Sequence, residues 1–450
     1  MNDDRARDAL TLAEATLAHA QREGVSEAEA LVMADDSALT RFANSEIHQN
    51  VAESNVVINL RVVVGKRVGV ASSGRTDEEG LRRLAENAAA IARVVEELDD
   101  WAGLPGPTEI HDVPAAYSAA TAGASPEFRA EAVRAVIGAA DDAGVTAYGS
   151  FATGTESVAV ANSAGSRAAG TRTTSQLITV SMGPGGGSGY AESAAVDATT
   201  IDAAAIGREA AGKAGATANA IAIEPGDYPV VLEEYAVVDL LDMLGYLGFS
   251  ALAVQEERSF FEPGKRIGSD LVTIVDDGYD PAGLPIWFDY EGVAKRRVEL
   301  VEGGLCRNVV YDAQTAARDG VASTGHGLPA PNPYGPFPIN MFMDAGTSSR
   351  EALIGGLDRG LLVTRFHYTN PVHPKLAIVT GMTRDGTFLV EGGELVGPVK
   401  NLRYTQSYLE ALAGTVAVAS ERKTLRGFLG GVVVPALRIE GWTFTGGTEH

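Results

Sequence analysis

At Ile223-Glu224-Pro225-Gly226 the sequence changes its rhythm. Downstream of that point, short β-branched runs are cut by glycine, and only Ala236 to Leu247 reads as an apolar helix. Such punctuation leaves little room for helices, so residues 223–450 are expected to form a mostly β domain. Upstream, apolar residues recur at helical spacing between valine-rich runs. Leu10, Ala13, Leu17 and Ala20 mark a helix from Asp4 to Gly24, and Leu81, Leu84, Ala88 and Ile91 mark another from Asp77 to Leu98. Between them, Ala30–Met33, Asn55–Val64 and Lys66–Ser72 read as strands, the last two joined as a hairpin through Gly65. Trp101 to Ser125 carries Pro105, Pro107 and Pro114 without periodicity and reads as a linker. Ser125-Pro126-Glu127 then caps a helix running to about Gly144. Strands follow at Ala147–Thr153, Ser157–Asn162, Arg172–Met182 and Gly189–Val196, then a helix from Asp202 to Ala218. The expected fold class is α+β. Residues 1–104 would form an amino-terminal α/β domain with antiparallel sheet and flanking helices, 105–222 a central α/β domain, and 223–450 the carboxy-terminal β-rich domain. A chain of 450 residues is too long for one core, which agrees with several domains.

Composition excludes several classes of function. A formal charge of −23 opposes phosphate neutralisation, so no nucleic-acid partner is expected. The densest basic cluster, Lys295-Arg296-Arg297, is flanked by Glu291, Glu299 and Glu302 and reads as a solvated surface turn. Apolar runs such as Val432 to Leu437 fall short of a membrane span, and the charged start MNDDRARDAL lacks a secretion-signal pattern. A cytoplasmic protein is expected, in keeping with the single cysteine, Cys306, which can form neither an internal disulfide nor a thiolate cage.

Most local motifs read as structure. GREAAGKA at 207–214 nearly spells a phosphate-binding loop, but Ala214 stands where a Ser or Thr must reach magnesium. GPGGGSG at 183–189 lies between strands and reads as a hairpin turn. Asp276, Asp277 and Asp280 in VDDGYDPAG lack calcium-loop spacing and read as a turn. No G-x-S-x-G elbow occurs, and Cys306 has no activating neighbourhood, so nucleophilic hydrolysis lacks a candidate. In TRFHYTNPVHPK, His367 and His373 stand six apart across Pro371, which interrupts a strand, so they do not share a face and read as a structural or substrate-contacting loop.

Six ordered segments carry a resemblance. RFANSEIHQN (41–50), VVVGKRVGVASS (62–73), VAVANSAGSRAAG (158–170), IEPGDYPVVLE (223–233), DYEGVAKR (289–296) and GMTRDGTFLVEGGELVGPVKNLRYTQ (381–406) resemble the TldD/PmbA family. The resemblance implies an α/β amino-terminal region, a β-rich carboxy-terminal domain and a dimeric cytoplasmic peptidase assembly, in which one subunit type carries zinc and its paralogue does not. The zinc type places HExxxH on a helix after the PVVL strand, with a later cysteine as third ligand. Carried over without gaps from Val231-Leu232, the two histidines fall on Asp242 and Leu247 and the glutamate on Met243. TLRGFLGGVVVPAL at 424–437 also lacks the cysteine.

A hydrolytic zinc needs about three protein ligands and a carboxylate base, so the resemblance implies a TldE/PmbA-like subunit with no cofactor of its own. Zinc is expected in a partner subunit, the assembly being a heterodimer with a TldD-like zinc-bearing paralogue or a homodimer; a peptide is the expected substrate. Two alternatives remain: a stand-alone zinc-independent amide hydrolase or tailoring enzyme, and a non-enzymatic peptide-binding adaptor. For the hydrolase, the candidates are His326 in STGHG, projecting into a cleft, with His367, His373, Asp385 and Glu391. Arg384 and Asp385 read equally as an Asp-Gly hairpin.

Overall fold

Two sheets divide the chain. The computed structural model describes residues 2–447. The first part comprises α1 (Asn2–Arg22), β1 (Glu27–Ala43), β2 (Glu46–Val64), β3 (Arg67–Ser73), α2 (Glu78–Ala92), α3 (Ala119–Ala122), α4 (Pro126–Asp142), β4 (Thr146–Asn162), β5 (Arg167–Met182), β6 (Ser188–Ala195) and α5 (Ala203–Ala216). Its six strands form one antiparallel sheet in the order β3-β2-β1-β4-β5-β6. The boundary expected at 104/105 therefore falls between strands of one continuous sheet, since β1 pairs with β4 along its length. Apolar stripes of α1 and α2 pack with Ala30, Val32, Ile58 and Leu60, and those of α4 and α5 with Phe151 and Leu177.

Two expectations fail here for physical reasons. The gap predicted between Thr153 and Ser157 does not exist, and β4 is a single strand. Its inward face carries Thr153, Thr155 and Ser157 where apolar residues would normally alternate. These hydroxyls find partners: Ser157 Oγ lies 2.8 Å from Thr171 Oγ1, and buried Arg129 donates to Thr153 Oγ1 at 3.1 Å. The second helix stops at Ala92, short of Leu98: Arg93 caps it, the Val94 N–H closes a tighter turn on Ile91 O, and the Leu98 N–H is taken by Lys66 O outside the helix. The proline-bearing stretch is fastened rather than loose: Trp101 Nε1 and Leu104 N–H both donate to the Glu27 carboxylate at 2.8 Å.

The second part comprises β7 (Gly226–Leu232), α6 (Glu234–Gly248), α7 (Ala251–Gln255), β8 (Ile274–Asp276), β9 (Val298–Glu302), β10 (Leu305–Cys306), α8 (Ala313–Asp319), β11 (Asn340–Met343), α9 (Arg350–Gly355), β12 (Arg359–His373), β13 (Ile378–Glu391), β14 (Glu394–Pro398), β15 (Leu402–Ser407), α10 (Tyr408–Ala413), β16 (Thr415–Arg426) and β17 (Gly431–Gly447). Eleven strands make one sheet, ordered β10-β9-β8-β11-β17-β15-β13-β12-β7, with β14 on β13 and β16 on β17. β7 also pairs with β17 and is buried through Val230, Val231 and Leu232. The architecture is α+β, with a mostly β carboxy-terminal part. The parts meet where Trp287 and Phe288 pack on Leu31, Val160 and Ala168.

In this half, two turn readings are corrected. Arg384, Asp385 and Gly386 lie inside β13, Arg384 paired with Arg365 and Asp385–Gly386 bulging opposite Thr364, with left-handed backbone at Asp385 (φ 55°), not at a hairpin tip. β12 runs on through Pro371 to His373, tolerating the proline through register shifts after His367 and after Pro371.

Candidate functional site

The helix after β7, α6, is apolar on every side, and such a helix belongs in a core. Met243 and Leu247 sit in the main hydrophobic cluster. Beyond Glu234 in its first turn, two acids break the pattern. Asp242 accepts the Phe428 N–H at 3.0 Å, and its burial, with the neighbouring Asp239 charge adding, pushes its carboxyl up to about 8. Asp239 is pushed up to about 6 by burial, although it accepts from Thr369 Oγ1 at 2.8 Å and the Tyr408 hydroxyl at 3.1 Å. Phe428 and Leu429 form the tip between β16 and β17, 58% and 49% exposed. These residues do not fit a zinc ion: Asp242 already holds a backbone N–H, Met243 and Leu247 offer no hard ligand, and the tip reads Gly427-Phe428-Leu429-Gly430. Among the described residues, no group of three or more His, Cys, Asp or Glu is arranged to hold a metal.

Beside α6 a cavity of about 570 Å³ opens between the parts, lined by Glu192–Val196 of β6 and its sequel and by Arg422–Thr424 of β16. β6 ends the first sheet, and β16, paired with β17 on one side and bridged by Ser348 at Ala419 on the other, leaves its edge open beside Arg422–Thr424. The floor is an ionic cluster. Lys213 Nζ reaches Glu209 at 2.7 Å and Glu233 at 2.6 Å. Lys423 Nζ lies 3.1 Å from Glu209 Oε2 and 2.9 Å from the Tyr235 hydroxyl. Arg350 completes the set by pairing with Glu233. Burial would raise the Glu209 carboxyl, but Lys213 and then Lys423 outweigh it and hold it near 2. Tyr235 is driven the other way, by burial and then by the Glu209 charge, so its hydroxyl stays protonated. A carboxylate this acidic is a poor general base. The cluster is suited to holding shape and charge along a cleft rather than to moving protons.

The residues singled out from sequence lie apart. His326 does not project into a cleft; it is fully buried, with Nε2 2.8 Å from Asp276 Oδ1 and Nδ1 2.9 Å from Thr324 Oγ1. Lys295, expected in a surface turn, is also fully buried, its Nζ 3.7 Å from Asp276 and without a hydrogen-bond partner. Burial would raise Asp276, but Lys295 and then His326 outweigh it and hold the carboxyl near 2. Asp276 is thus the end of β8 rather than a turn, whereas Asp277 and Asp280 do accept turn N–H groups from Tyr279 and Ala282. His367 is half-buried and His373 exposed on β12. Asp385 accepts from Ser188 of β6 and from Arg365, stitching the two parts together. Glu391 is exposed at the end of β13, 3.6 Å from Arg359. In 183–189 the turn reading holds: Gly185 and Gly186 take left-handed φ of 64° and 75°, and a Cβ on Gly189 would stand 2.1 Å from Ala210 O of α5. Sequence reasoning missed Glu209, Lys213, Glu233, Tyr235 and Lys423. One signal was available: Glu209 and Lys213, inside GREAAGKA, stand at i,i+4 on a helix of small and apolar residues that carries one further charge, Arg208.

Comparison with known proteins matches this geometry. The profile of the PmbA/TldA metallopeptidase C-terminal domain matches residues 225–446, and that of PmbA/TldA metallopeptidase domain 1 matches 28–92. The chain is a homologue of metallopeptidases built on this pair of sheets. It belongs to the TldD/PmbA family. The fold superposes on the crystal structure of TldE from Thermococcus kodakarensis with a TM-score of 0.88, at 23% identity over 96% of this chain and 99% of that one. A metalloprotease TldD homolog of Buchnera aphidicola is 27% identical over 49% of this chain and 48% of its own length. Metalloprotease PmbA of Escherichia coli is 26% identical over 40% of this chain and 38% of its own. The matched segments thus span about half or less of these curated relatives. No helix among the described residues is long and apolar enough to cross a membrane.

Proposed function

We propose that this chain is the metal-free, TldE/PmbA-like subunit of a TldD/TldE-type metallopeptidase complex, and that it contributes to peptide binding and to processing or maturation. The observation that carries this reading is α6. At the positions of the zinc motif it bears Asp242, held by the Phe428 N–H, and the core residues Met243 and Leu247. Zinc and the catalytic base are then the contribution of a zinc-bearing paralogue. The cleft supports the peptide role: an extended segment between the edges of β6 and β16 would gain backbone hydrogen bonds from either side, with the Glu209–Lys423 cluster beneath it. A free, buried Cys306 thiol agrees with work in the reducing cytoplasm.

The test is to purify the chain alone and together with a zinc-bearing relative and to assay cleavage of unstructured peptides. Cleavage is expected only from the mixture and is expected to stop on chelation. Cleavage by the isolated chain that survives chelators would overturn the reading.

A further inference from the structure

Arg129, in the first turn of α4, keeps 1% of its surface exposed. Its Nη1 donates to Ala124 O at 3.0 Å and to Thr153 Oγ1 at 3.1 Å, its Nη2 lies 3.5 Å from Asn50 Oδ1, and its Nε has no partner. Among the described residues the one carboxylate whose charge acts on it, Glu127, is exposed to solvent. A guanidinium stays ionised, and burying it without a close counter-charge is strongly unfavourable. This corner of the fold therefore attracts anions.

Beside it a groove of about 290 Å³ runs between α3 and one face of the first sheet. Asp36 pairs with Ser54 and Thr155, and Ala38 with Ala52 and Thr153, so these six side chains form two adjacent rows on that face. Arg129 backs the second row. Thr153 Oγ1 accepts from the guanidinium, so its own proton turns elsewhere, and a hydroxyl that accepts from a cation donates more strongly. Thr155 adds a second hydroxyl to the groove. The first row carries the opposite charge. The Ser54 hydroxyl and then Arg5 hold the Asp36 carboxyl below its ordinary range, so it is ionised at neutral pH. Asp36 and Thr153 are diagonal neighbours on adjacent strands, about 7–8 Å apart. A bare anion at Thr153 would meet that negative charge. A ligand with an ammonium at its other end is held by both, and one N–Cα–C unit with a hydrogen bond at each end covers the distance. Ala38, Ala52 and Ala122 leave an apolar wall for a side chain.

We propose that this groove binds a free, zwitterionic α-amino acid with an aliphatic side chain, its carboxylate on the Thr153 and Thr155 hydroxyls backed by Arg129 and its ammonium on Asp36. The groove shares no lining residue with the cleft between β6 and β16, so the proposal goes beyond the peptidase reading and stands without it.

The test is isothermal titration calorimetry of the full chain with L-leucine, N-acetyl-L-leucine, L-leucinamide and acetate. L-leucine is expected to bind with a Kd of about 1 mM or tighter. Removing either charge, in the acetylated or the amidated ligand, should weaken binding about tenfold or more. Asp36→Asn, which keeps an oxygen for Ser54, should abolish the advantage of L-leucine over its N-acetyl form. Arg129→Gln should abolish its advantage over L-leucinamide, whereas a loss of packing alone would weaken both ligands equally. If Arg129→Gln does not fold, Thr155→Val, which keeps the shape and removes a hydroxyl, should reduce the same advantage. No binding of L-leucine, equal affinity for L-leucine and L-leucinamide, or acetate binding as tightly as L-leucine would overturn the proposal.

Discussion

Two clusters in this molecule set lysine against carboxylate, and they differ in one respect. Around Lys423 and Glu209 the side chains keep 31% and 30% of their surface, because a cleft runs over them. Around Lys295, Asp276 and His326 they keep none. In the sealed cluster a charge that loses its partner has nowhere to go, so the arrangement is permanent. In the cleft, water can stand in for a departing partner, so ion pairs there can be traded for contacts with a ligand at little cost. A histidine and a lysine beside an aspartate look more like chemistry than two lysines on a glutamate. Access, not residue type, makes the second cluster the better candidate for binding.

The largest effect follows from breaking the sealed cluster. Asp276→Asn removes the carboxylate 3.7 Å from the Lys295 ammonium and leaves that buried cation with the weaker pull of Asp289 alone to oppose its desolvation. The expected loss is about 3–5 kcal/mol in urea unfolding. A loss below about 1 kcal/mol would mean that water reaches the cluster, and the contrast with the cleft would collapse.

Asp242 sharpens the same contrast through pH. Burial pushes its folded carboxyl up to about 8 from the ordinary value of 3.8, so the folded state holds a proton that the unfolded state releases. The sign is opposite to the common carboxylate case. Stability contributed by the protonated group is complete below about pH 4 and falls as pH rises through 8, by at most about 1.4 kcal/mol per pH unit. Asp242→Asn keeps a carbonyl for the Phe428 N–H and cannot ionise. It should match the wild type within about 1 kcal/mol at pH 5 and exceed it by about 2 kcal/mol or more at pH 8.5. Parallel stability curves for the two proteins would show that Asp242 is hydrated, and α6 would then have a polar opening.

How far these regions could be read in advance depends on the range of the interactions. α6 was legible because an apolar helix with Asp242, Met243 and Leu247 in place of a metal motif is a local pattern. β4 was legible only at its ends, since its buried middle is polar and Thr153 and Ser157 are satisfied by Arg129 of α4 and Thr171 of β5, partners that composition does not reveal. Lys295 was misread because a run of three basic residues beside glutamates describes a surface, and its burial is imposed by Asp276 and His326 from other segments. Of the cleft cluster only the Glu209–Lys213 spacing was within reach, since Lys423 and Glu209 are 214 positions apart. Long-range ion pairs leave no periodicity for a reader to follow.

Within the cleft the effects on stability are smaller and those on binding are the informative ones. Glu209→Gln loosens Lys213 and Lys423, but both can turn to water, so a loss of about 1 kcal/mol is expected at pH 7. The Glu209 contribution is present above the ordinary carboxyl value of 4.5 and fades as pH falls through about 2, so wild type and variant should converge in strong acid. A difference that persists at pH 2 would assign the loss to packing rather than charge.

The smallest effect on folding belongs to the tip of the β16–β17 hairpin. Phe428 and Leu429 are half or more exposed, so truncating both to alanine should change stability by no more than about 0.5 kcal/mol. Binding should behave differently. A peptide lying along β16 from Arg422 leaves the ionic floor and meets these two side chains, the largest apolar groups the strand offers to solvent at that end. Burying them against an apolar peptide residue is worth about 1–2 kcal/mol, a loss of about tenfold in affinity when both are removed. Fluorescence anisotropy of a labelled, unstructured peptide measures this directly, with Glu209→Gln as the companion variant. If the double truncation binds as tightly as the wild type while Glu209→Gln does not, the peptide leaves the cleft before the hairpin tip, and the ligand path narrows to the edge of β6.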